Sequence, residues 1–130
     1  MTWQVSITEG EAGAFHQLVP PVDTPAQVWV RRPARPALVL GSTQPDALVE
    51  GERARADGIE VCRRRSGGGL VYLDPATDCW IDLIVPRGSG LWHDDVGLAF
   101  HWAGEHWAST LAAVLQPHPT AGPDGPDSVG

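Results

Sequence analysis

Three arginines run directly into a serine and three glycines, Arg63-Arg64-Arg65-Ser66-Gly67-Gly68-Gly69, and Leu70-Val71-Tyr72 follows at once. Arginine holds a permanent charge and a planar fork of N–H donors matched to carboxylate and phosphate. Adjacent glycines admit positive φ and let a ligand approach the main chain closely. The N–H groups of such a turn can ring an anion. Together these residues point to a small anionic ligand. The plain alternative is a charged hairpin with a flexible tip, because glycine clusters mark turns first. Two nucleotide motifs are excluded. No Gly-Lys-Ser/Thr follows, as a P-loop needs, and the glycines are adjacent and lead into a strand, unlike a dinucleotide fingerprint. In a strand, Arg63 and Arg65 face one side and Arg64 the other. One guanidinium can then serve a site, and the other two need solvent or an acidic partner such as Asp82.

Other reactive residues carry less. Cys62 and Cys79 stand seventeen positions apart with no Cys-x-x-Cys, and no secretory signal precedes them, so two buried, reduced thiols in a cytoplasmic protein are expected. A nucleophilic cysteine wants a histidine partner, and neither has one nearby in sequence. His101, Glu105 and His106 have one residue too many for the inverted zinc-protease pattern; surface helix polarity explains them, and no metal site is expected. Trp92, Trp102 and Trp107 read as packing residues.

Composition narrows the partners. The 130 residues are 42% hydrophobic, enough for a packed core, and the net charge of −7 argues against broad nucleic-acid binding. All nine cations are arginines between Arg31 and Arg87, set among eight acids, whereas residues 1–30 and 88–130 carry acids without Arg or Lys. A positive focus inside an acidic body suits a small anion. No apolar run approaches the ~20 residues of a membrane span. There is no lysine anywhere, which limits the chemistry more than any residue present.

The elements that must position these residues can be read in order. A strand is expected over Thr2–Ile7, a helix over Glu9–Val19 stopped by Pro20-Pro21, and a strand around Val28 and Val30. Ala37-Leu38-Val39-Leu40 is a continuous apolar strand, buried on both sides if it sits mid-sheet. It ends in the polar loop Gly41-Ser42-Thr43-Gln44-Pro45. Asp46 is placed to cap a helix to about Asp57, with Gly58 as its stop. Ile59–Arg65 is a strand, and Leu70–Leu73 is expected to pair back on it as a hairpin or near-hairpin. Cys79–Val85 alternates, with Trp80, Asp82 and Ile84 on one face. After Asp94 or Asp95, Val96, Phe100, Ala103, Trp107, Leu111 and Val114 mark a helix. The fold class expected is α+β, a mixed, mostly antiparallel sheet with helices packed on it. One domain is expected over residues 1–115, with a disordered Pro/Gly-rich tail over 116–130.

The segment Arg63–Tyr72 resembles the arginine–glycine signature of the lipoate–protein ligase A family, within the biotin/lipoate ligase superfamily. Leu38-Val39-Leu40-Gly41-Ser42-Thr43-Gln44 is similar to that family's core strand and Gly-x-x-Gln loop. Trp80-Ile81-Asp82-Leu83 and the helix after Asp95 also stand where the family has a strand and a helix. The resemblance covers residues 25–115, about the N-terminal half of a ligase domain. It implies ATP-dependent (with Mg) adenylation of lipoate or octanoate, then transfer to a lysine of a lipoyl carrier domain, with no bound prosthetic group, nucleic acid or membrane. It implies that Arg64 contacts the adenylate phosphate, beside the loop residues Ser66, Gly67 and Gly68. It also implies that Gly69, Leu70, Val71 and Tyr72 line the nucleotide and acyl channel, and that Gly41 and Gln44 close a wall. Two departures stand out. Leu73-Asp74 replaces the family's His-Asp, and the lysine that the family uses in adenylation is absent with the second half. The chain then reads as an incomplete ligase, one subunit of a split ligase completed by a second polypeptide, or a non-catalytic acyl- or nucleotide-binding relic.

Overall fold

The computed structural model describes residues 2–116, in two compact units that divide between Leu91 and Trp92. The domain expected over residues 1–115 spans both units. The expected tail lies, apart from Gln116, outside the described residues.

The first unit contains β1 (Gln4–Gly10), α1 (Ala12–Gln17), β2 (Gln27–Pro33), β3 (Ala37–Leu40), α2 (Gly51–Ala56), β4 (Glu60–Arg63), β5 (Val71–Leu73) and β6 (Trp80–Ile84). The α+β class holds, with the strands divided between two three-stranded mixed sheets. One has the order β1-β2-β6, parallel then antiparallel, and the other β4-β3-β5, likewise one pairing of each kind.

The apolar run Ala37–Leu40 takes the central position of its sheet, as its lack of polar residues requires. Ala37 and Val39 are buried against Ala12 of α1, with Cys62, Leu73 and Trp80 around them. Leu40 is buried as well. The expected hairpin between β4 and β5 does not form. Both strands pair with β3, from opposite sides. The physical reason is that β3 has two edges to satisfy, and the glycine segment crosses its end to reach the second.

The expected helix over 46–57 is broken. A 3-10 turn at Asp46–Leu48 is followed by extended Val49 and only then by α2. Asp46 is the first residue of that turn, with Pro45 at its N-cap, and the Asp46 carboxylate pairs with Arg63. Gly58 ends α2 with φ +77°, as expected of a glycine stop. Helix α1 is shorter than expected, and its cap comes from far along the chain. The Glu60 carboxylate accepts from the N–H groups of Ala12 and Gly13, both at 2.8 Å. Cys79 is exposed rather than buried, and both cysteines are free.

In the second unit, α3 spans Val96–Val114, and Asp95 caps it by accepting from the Leu98 N–H at 3.0 Å. His101 and Glu105 pair with each other at 3.2 Å, and His106 stacks on Trp102. Among the described residues, no helix is long and apolar enough to cross a membrane.

Candidate functional site: a guanidinium-tied glycine loop over an apolar cleft

Because β4 runs parallel to β3, Arg64 emerges level with the end of β3, where its N–H donates to the Leu40 carbonyl at 2.9 Å. Its side chain then turns onto its own loop. Nη1 donates to Val39 O at 3.3 Å, and Nη2 donates to Gly67 O at 3.0 Å and Gly69 O at 2.8 Å. Three of the five guanidinium N–H groups are thus spent on main-chain carbonyls, leaving two, with the full charge, for anything else. The sequence suggested a guanidinium reserved for ligand; here it is first a tie that fixes the loop.

The glycines are not equivalent. Gly68 has φ +106°, and a Cβ there would stand 2.8 Å from Arg64 Nη2. A Cβ on Gly41 would overlap the Gly68 carbonyl oxygen, with the carbonyl carbon 3.1 Å away. Gly67 and Gly69 have neither a positive φ nor a close neighbour. One left-handed residue and one backbone crossing, Gly68 over Gly41, therefore account for the motif's need for glycine. Ser42 N–H donates to Ser66 O at 2.9 Å and fastens the two loops together. Gln44 Oε1 accepts from the Gly41 N–H at 2.9 Å.

Arg63 points the other way, as alternation required. It donates to the carbonyls of Gly41 and Gln44 and pairs with Asp46. Arg65 lies beyond the strand and is exposed. Asp82 serves neither; it belongs to Arg31, whose Nε donates to it at 3.3 Å. Arg31 is 95% buried, because only 5% of it is exposed, and lies over Trp29 at 4.3 Å and Phe15 at 4.9 Å. The carboxylate and the two ring faces together compensate a charge that would otherwise be costly to bury. Asp82 also accepts from Trp80 Nε1 at 2.9 Å.

Trp80 forms part of an open cleft of about 290 Å³, lined by His16, Val39, Arg64, Val71, Leu73, Cys79, Trp80 and Ile81. Of the residues expected at the site, Arg64 and Val71 line this cleft. Gly41, Gln44, Ser66, Gly67, Gly68 and Gly69 build the two loops. Tyr72 faces away from Val71, opposite Leu38, and is 53% exposed; Leu70 is exposed too. Period-two alternation therefore gives the cleft Val71 and Leu73, where the sequence reading had Val71 and Tyr72 together. His16, Val39, Leu73, Cys79, Trp80 and Ile81 were missed. The shared face of Trp80 and Asp82 was a legible signal, but nothing local marks His16, which arrives on α1.

Burial lowers the pKa of His16, the nearby Arg64 charge lowers it further, and Asp82 opposes them. The Cys62 thiol is pushed up to about 11, first by burial and then by the Glu60 and Glu11 charges.

An apolar trough with a permanent cation at its rim is suited to an anionic group carried on a hydrocarbon chain. The family model described as Lipoyl protein ligase A/B catalytic domain matches residues 15–117. The chain belongs to this family. No curated protein matches it.

Proposed function

We propose that this chain supplies the acyl-binding part of a lipoate–protein ligase-type reaction, acting on lipoate or octanoate. The observation that carries this is the cleft in which Arg64 meets the apolar walls Val39, Val71, Leu73 and Ile81. Its volume is at the lower edge of ligand cavities, which begin at ~300 Å³. That suffices for a medium acyl chain but not for a whole acyl-adenylate, so the nucleotide lies outside it, towards the Gly67–Gly69 loop. The two remaining Arg64 N–H groups and its charge are the donors for the acyl-phosphate end.

In such a reaction a carboxylate oxygen attacks the α-phosphorus of ATP and pyrophosphate leaves. A carrier-domain lysine then attacks the acyl carbon, AMP leaves, and the amine proton is lost to solvent or base. The first step brings anions together and needs more cationic charge than one arginine. The sequence contains no lysine. A second polypeptide, or further chain, supplies that charge in our reading, and lipoyl carrier domains are the acceptors. Two free thiols fit a reducing, cytoplasmic setting.

The test uses a hydrolysis-resistant octanoyl-sulfamoyl adenosine. It is expected to bind the full chain and to slow alkylation of Cys79, which lines the same cleft. Absence of both binding and protection would refute the reading. Pyrophosphate release from ATP and lipoate by the chain alone would refute the need for a second source of charge.

A further inference from the structure

The cleft offers a ligand a second polar group, on the wall formed by α1. We propose that His16 is a binding residue that donates a hydrogen bond to the carbonyl oxygen of the acyl group while Arg64 holds the anionic end. This inference rests on the acyl-binding reading and deepens it.

Three observations support the assignment. First, His16 and Arg64 line one cleft, with Val71 and Leu73 beside them. Second, the imidazole is held in place. It lies against Trp80 at 4.5 Å between centroids, and Trp80 is itself fixed by Asp82 and by the edge-on ring of Phe15 at 5.6 Å. The helix that bears it is tied through Ala12 and Gly13 to Glu60, on the strand that leads into the three arginines. One strand, β4, therefore positions both the imidazole and the guanidinium. Third, among the described residues no protein group is hydrogen-bonded to either ring nitrogen of His16, and neither nitrogen is among the fully buried unpartnered atoms, so both are open to solvent and to a ligand. A polar group in a cleft that is paired only with solvent is available to a ligand that replaces that water.

The protonation state fits the role. Burial and the Arg64 charge favour neutral imidazole, with Asp82 opposing them. Neutral imidazole keeps one N–H donor and one acceptor. It therefore recognises a carbonyl oxygen without competing with Arg64 for the anionic end. The ligase resemblance has a histidine where Leu73 stands, and Leu73 lines this same cleft. An imidazole is thus present in the cleft after all, brought by α1 instead of β5.

The experiment compares wild type, His16→Phe and His16→Asn with two probes, octanoyl-sulfamoyl adenosine and octyl-sulfamoyl adenosine, which lacks the acyl carbonyl. Phenylalanine keeps a ring against Trp80 but has no donor; asparagine restores a donor without the ring. Thermal unfolding of each variant checks that the fold is retained. The expected result is that His16→Phe weakens the octanoyl probe about threefold to tenfold, the range for one hydrogen bond. The octyl probe should be unaffected, and His16→Asn should recover part of the loss. Equal binding of the octanoyl probe by wild type and His16→Phe would overturn the inference while leaving the acyl-binding reading intact. Equal weakening of both probes would overturn it too, as a packing effect. Failure of wild type to bind either probe would overturn both readings together.

Discussion

Replacing Gly41 by alanine is a sharp test of how this loop is built. The new methyl would fall on the Gly68 carbonyl oxygen, with the carbonyl carbon 3.1 Å away. Both obstacles are main chain, so no side chain can swing aside. Restoring ordinary contact needs one loop to retreat by roughly 1 Å. That movement breaks the Ser42 N–H to Ser66 carbonyl bond and misaligns Arg64 with the Gly67 and Gly69 carbonyls. Overpacking costs about 1–3 kcal/mol, and a lost hydrogen bond adds about 0.5–1.5 kcal/mol. A total of about 2–4 kcal/mol is a large part of the ~5–15 kcal/mol expected of a whole domain. Gly67→Ala and Gly69→Ala meet no neighbour and relieve no positive φ. They should change stability by less than about 1 kcal/mol, with a gain where the unfolded chain loses freedom. The assay is urea unfolding followed by tryptophan fluorescence. The Gly41→Ala midpoint should fall by about 1–2 M, given a slope of roughly 1–3 kcal/mol/M. Unfolding of Gly41→Ala at the wild-type midpoint, or equal destabilisation of Gly67→Ala, would refute a backbone crossing of Gly68 over Gly41.

Four further outcomes are expected. Glu60→Ala should destabilise the fold by about 1–2 kcal/mol, the usual effect of losing a helix cap, and hydrogen exchange should show the loss concentrated at the Ala12 and Gly13 amides. Cys62 keeps its proton to about 11, against 9.0 for an unperturbed thiol; the unfolded thiol therefore ionises first, and stability falls as pH rises from about 9 towards 11. Because the site is only partly buried, the loss should be roughly 1 kcal/mol after screening, and Cys62→Ser should remove this alkaline limb. In native alkylation Cys79 should react well before Cys62; equal rates would contradict the burial assigned to them. His16 titrates below 6.5 in the fold, so the unfolded chain takes up its proton first and stability falls as pH drops through about 6.5; His16→Asn should flatten that limb.

The sequence by itself determined most of the elements and the family. Hydrophobic alternation and the apolar run at Ala37–Leu40 are local properties, and they gave the strands, the central position of β3 and the opposite facing of Arg63 and Arg64. The start of α3 after Asp94 or Asp95 was legible, because the apolar period of a helix is a local property. The arginine–glycine segment marked the family, because its charge and φ freedom belong to the residues themselves. What only the tertiary structure decided is which groups share space. The pairing of β4 and β5 with β3, not with each other, depends on which edges are left unsatisfied. Glu60 capping α1, Asp82 serving Arg31 and His16 entering the Arg64 cleft each join residues more than forty positions apart. Such contacts are set by packing around Ala12, Ala37 and Val39, and no window of sequence short enough to show a periodicity contains both partners.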